Sequence, residues 1–68
     1  MNIKQFTKQL REIIDGSQIH AQYTTHGKDE YKNMPIAPDD DAIVVNGPEG
    51  EDETFILHII KVKTDKQP

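Results

Sequence analysis

A chain of 68 residues, 34% of them hydrophobic, with no cysteine and a formal net charge of −4, makes one small domain. At this size only about 60% of the unfolded surface is buried, so the core is thin. The lack of cysteine excludes disulfides and thiolate metal sites and fits a reducing compartment, the cytoplasm. No run approaches the roughly 20 apolar residues that span a bilayer, and the first residues lack a signal peptide's apolar core, so a soluble protein is expected.

The chain opens on an amphipathic helix over about 3 to 15, with Ile3, Phe6, Leu10, Ile13 and Ile14 at helical spacing on one face. Asn2 is the expected N-cap, with Gln5 completing a weak capping box, and Gly16 is the stop. Lys4 near the start and Glu12 and Asp15 near the end oppose the helix dipole, so packing has to hold this helix. From Gln18 to Thr25 the period changes to two, with Ile19, Ala21 and Tyr23 on one side, which predicts a half-buried strand. Gly27 to Asp41 follows as a loop of about 15 residues with Pro35 and Pro38, a length that is uncommon unless functional or disordered. Tyr31, Met34 and Ile36 are its candidates for pinning it to the domain.

A second strand over Ala42 to Val45 and a third over Thr54 to Lys63 form an expected hairpin through Asn46-Gly47-Pro48-Glu49-Gly50. The last strand is apolar on both faces (Phe55, Ile56, Leu57, Ile59, Ile60). That pattern predicts the most protected strand of the sheet, or a bulge, with one face available as an interface. Thr64 to Pro68 reads as a disordered tail. The expectation is an α+β domain over 1–63, in α-β-β-β order, with the helix on a three-stranded, mainly antiparallel sheet. The helix face should meet Ile19, Tyr23, Ile43, Val45 and one face of the last strand. Strand order stays open, because the long first connection is compatible with a wide hairpin or a crossover.

Charge is spread unevenly along this frame. Nine acids (Asp29, Glu30, Asp39, Asp40, Asp41, Glu49, Glu51, Asp52, Glu53) stand against Lys28 and Lys32 between positions 28 and 53, a balance of −7. The two ends have three acids against six bases, a balance of +3. A negative middle repels nucleic acid and anionic lipid and attracts basic surfaces over a screening length of about 10 Å at 0.1 M salt. Asp39, Asp40, Asp41, Glu49, Glu51, Asp52 and Glu53 are therefore the candidate partner-binding residues. They form one negative surface if the two runs lie close in space, and are solvating loop tips otherwise.

Catalytic chemistry is not expected. Ser17 is the one serine, a core this thin hardly shapes an oxyanion pocket, and Gly47-Pro48-Glu49-Gly50 carries the wrong sign for a phosphate loop. Asp39-Asp40-Asp41 does not follow the spacing of a calcium loop. His20, His26 and His58 lack the cysteines that would complete most zinc sites, although His20 and His58 could meet across the sheet. No cofactor, no metal and no direct nucleic-acid binding are expected.

The favoured function is a protein-binding module whose acidic loops engage a basic partner, in its sharpest form an inhibitor that blocks a nucleic-acid-handling enzyme by DNA mimicry. In size, acidity and lack of catalytic groups the chain is similar to small phage-encoded inhibitors such as the anti-CRISPR proteins, although no motif assigns it to one family. The alternative is a structural or assembly protein that associates through its apolar C-terminal strand, as a monomer docking on a partner or as a homodimer.

Overall fold

The computed structural model describes residues 1–64; of the expected disordered tail, only Thr64 falls within the described residues. Helix α1 is Ile3–Asp15, and its first turn is closed by the reciprocal capping box. The Asn2 side chain accepts from the Gln5 amide at 2.8 Å, and the Gln5 side chain accepts from the Asn2 amide at 2.9 Å. Gly16 ends the helix with its amide on the Glu12 carbonyl.

Three strands follow: β1 (Thr24–Gly27), β2 (Asp41–Asn46) and β3 (Thr54–Ile59), in sheet order β1-β2-β3 with both pairings antiparallel. The fold is the expected α+β arrangement, and the long first connection is a wide hairpin rather than a crossover. The β2–β3 hairpin closes through Gly47 N to Glu53 O at 2.8 Å. At its tip the Glu51 amide bonds to the Pro48 carbonyl, and Gly50 takes φ 91°, a backbone region that side chains disfavour.

Two expectations about the strands are corrected. The alternating stretch from Gln18 does not run as a strand; Ile19–Ala21 forms a 3-10 turn, and β1 starts only at Thr24. Successive amides at His20, Ala21, Gln22 and Tyr23 each bond three residues back, so this backbone is satisfied locally and not in the sheet. The most protected strand is β2, not β3. Ala42, Ile43 and Val44 are completely buried, because β2 is flanked on both edges while β3 lies outermost.

The helix also sits differently on the sheet. It packs on β1 and β2, presenting Thr7, which is buried, with Ile3, Leu10 and Ile14 half-buried. Phe6 and Ile13, which the helical period places inside, are 47% and 69% exposed. At roughly 100° per residue, positions 3, 7, 10 and 14 gather on one line, and 6 and 13 fall on its flank. Thr7 joins the inner line because its hydroxyl donates to the Ile3 carbonyl at 2.8 Å, which leaves its methyl for packing.

Candidate functional site

Strand β3 exposes three large apolar side chains in a row, Phe55, Ile56 and Leu57. Its register with β2 pairs Leu57 with Ile43 and Phe55 with Val45, so Phe55, Leu57 and Ile59 share the helix-bearing face and Ile56 and His58 the other. The helix covers β1 and β2, and β3 is left over. Phe55 and Leu57 remain 49% and 39% exposed on one face, and Ile56 remains 48% exposed on the other. Nothing among the described residues pairs with the outer edge of β3.

Two apolar recesses border the exposed helix-side face of β3. One, of about 430 Å³, is lined by Ile14, Ile19, Tyr23, Val45, Phe55 and Leu57, with the Tyr23 and Phe55 rings edge to face at 6.0 Å. The other, of about 270 Å³, brings Phe6 of the helix flank to Ile59 and Ile60. Thus Phe6, a helix residue that misses the core, borders the end of the strand that the helix leaves uncovered.

The opposite flank of α1 is polar and tied down. Lys4 pairs with Asp29, and Arg11 reaches Glu30 at 3.1 Å; Thr25 donates to Asp15. Hydrogen bonding from Lys4 and its charge hold the Asp29 carboxyl below the usual range, and Asp29 in turn raises the Lys4 ammonium. Hydrogen bonds from His26, Arg11 and the Gly27 backbone lower Glu30 in the same way. Lys28 anchors the long loop: its ammonium donates to the carbonyls of Ala37, Pro38 and Asp40. In sequence Lys28 reads only as a counter-charge, because its three acceptors lie 9 to 12 residues on and are backbone atoms.

The two acidic runs do not converge. Asp39–Asp41 lies at the start of β2, while Glu49–Glu53 forms the hairpin tip past its end, about 17 Å along the strand. The first run is also partly used up inside the molecule. Asp41 is buried, its carboxylate accepting from the Ala42 amide, and Asp40 meets His58 Nε2 at 3.0 Å. Asp39 stays exposed, as do Glu49, Glu51, Asp52 and Glu53, none of which forms an ion pair among the described residues.

The histidines are distributed likewise, each beside its own carboxylate: His20 with Asp15, His26 with Glu30 and His58 with Asp40. His20 and His58 do not meet, since His20 sits on the turn before β1 and His58 on the outermost strand. Among the described residues no three His, Asp or Glu side chains gather as metal ligands, and no helix is long and apolar enough to cross a membrane. Comparisons with protein-family models, with curated proteins and with solved structures gave no match, so the description of this chain rests on its own geometry.

Proposed function

We propose that this protein is a protein–protein association module whose working surface is β3, consistent with a cytoplasmic protein on its lack of cysteine. One observation carries the reading: an outermost strand apolar on both faces, with Phe55, Ile56 and Leu57 each between 39% and 49% exposed. Unpaired strand amides and carbonyls are a template for a further strand, and edges not meant to pair are blunted by lysine, proline or a bulge. Thr54–Ile59 contains none of these.

The test is association of the full chain with and without Leu57→Asp. The substitution puts a charge on the exposed strand at a position that is itself 39% exposed. Loss of association with retained circular dichroism supports the reading; association unchanged by Leu57→Asp removes it.

The acidic tip favours a second reading. Glu49, Glu51, Asp52 and Glu53 project together without ion pairs among the described residues, which suits a basic partner, in the sharpest form a nucleic-acid-handling enzyme blocked by a phage-type inhibitor. Converting those four to Gln or Asn distinguishes the two. Binding through the tip falls with this variant and with rising salt, whereas binding through β3 survives high salt.

A further inference from the structure

The charges that flank β3 are arranged symmetrically about its centre. Counting outward from Leu57, Phe55 balances Ile59, Glu53 balances Lys61 and Glu51 balances Lys63. The strand between, Thr54–Ile59, carries no Asp, Glu, Lys or Arg. In an antiparallel pair, residues directly opposite lie on the same face of the sheet, and a two-fold axis perpendicular to the sheet joins two edge strands without turning either face over.

We infer that the occupant of the β3 edge is a second copy of this chain, paired antiparallel with Leu57 on the two-fold axis to give a continuous six-stranded sheet. The inference rests on the β3 reading above and adds the partner and the register. In this register Phe55 of each copy faces Ile59 of the other, and Leu57 faces Leu57, on the helix-bearing side. Glu53 and Glu51 of each copy lie opposite Lys61 and Lys63 of the other, so two acid–base pairs form at each end of an apolar seam. Shifting one strand by two residues in one direction puts Glu53 opposite Ile59; in the other direction Glu53 meets Lys63, but Phe55 falls opposite Lys61 and Glu51 opposite Asp65. The parallel alternative sets acids beside acids and lysines beside lysines, which is repulsive.

The same pairing employs a part of the chain that lies beyond β3, residues 60–63. Across the axis residues 61–63 stand opposite 51–53, and Ile60 stands opposite Thr54 of β3. In the dimer residues 60–63 extend β3, while 51–53 keep their place in the hairpin tip. The recess holding Phe6, Ile59 and Ile60 then adjoins the seam instead of open solvent.

Charge reversal tests the register by sedimentation of the full chain. Glu53→Lys and Lys61→Glu, both at exposed positions, each weaken self-association about ten-fold or more, because each turns two attractive pairs repulsive. An equimolar mixture of the two variants recovers a heterodimer, since the lysine introduced at position 53 of one chain then faces the glutamate introduced at position 61 of the other. Leu57→Cys, in a chain without other cysteines, cross-links to itself on mild oxidation, and Phe55→Cys does not, because the two copies of residue 55 lie about 13 Å apart.

Other outcomes separate the inference from the reading beneath it. A chain that is monomeric at every concentration, while a different protein binds it and is lost with Leu57→Asp, overturns self-pairing and leaves β3 as the surface. A dimer lost with Leu57→Asp but indifferent to both charge reversals overturns this register alone. A dimer indifferent to Leu57→Asp overturns both.

Discussion

Glu30 is where several elements meet. It takes hydrogen bonds from His26 and Arg11, and so joins β1, the helix and the turn Lys28–Glu30 through one carboxylate. Its carboxyl is held below the ordinary range, as is that of Asp29. A carboxyl depressed in the folded state contributes stability above its unfolded pKa, and that contribution is lost as pH falls through the folded value. Stability measured by urea unfolding should therefore decline on the acid side of the usual carboxylate range. Glu30→Gln should flatten that decline and leave the neutral-to-alkaline side parallel to the parent. The effect is small, since both acids are exposed and salt screens them. Lys4 has the opposite sign: its raised ammonium supports the fold until pH climbs past its folded value. The pairs Lys4–Asp29 and Arg11–Glu30 are not visible in sequence, because they stand 25 and 19 positions apart and meet only when the helix is laid against the sheet.

Within the elements, helix α1 was the most legible, for its signals are local. The cap at Asn2, the stop at Gly16 and the 3.6-residue period all lie within one short window. What could not be read was its rotation. Phe6 and Ile13 satisfy the period as well as Ile3 and Leu10, and only the position of the helix over β1 and β2 decides which line is buried. Strand β2 was recognisable from its apolar run, but its centrality depends on which neighbours it acquires. Substitutions should rank accordingly: Ile43→Ala, at a completely buried position, costs about 2–5 kcal/mol. By contrast Ile13→Gln, on the exposed flank, stays within about 0.5 kcal/mol of the parent. Urea midpoints at pH 7 with equal slopes check the order.

The domain as assembled is thin, 14 Å in its shortest dimension, which leaves room for one helix laid on part of one sheet. A single short helix does not cover three strands. The uncovered strand is the third, and its apolar residues are thereby displaced from a core role to a surface one. The proposed self-association through β3 would link stability to concentration. The thermal midpoint should rise with chain concentration in the parent and stay constant in Leu57→Asp, read by circular dichroism in matched buffers. A midpoint independent of concentration in both would count against self-association.

Helix, turn chemistry, the hairpin of the last two strands and the α+β class were all legible from the sequence, because each depends on residues close together along the chain. The exposure of β3, the burial of Asp41, the separation of the two acidic runs and the loop anchor at Lys28 were decided by tertiary structure. Each depends on which strand lies outermost and on contacts between distant residues. Apolar strand composition is the same whether a strand is buried in its own chain or waits for another, and only the arrangement of neighbours distinguishes the two.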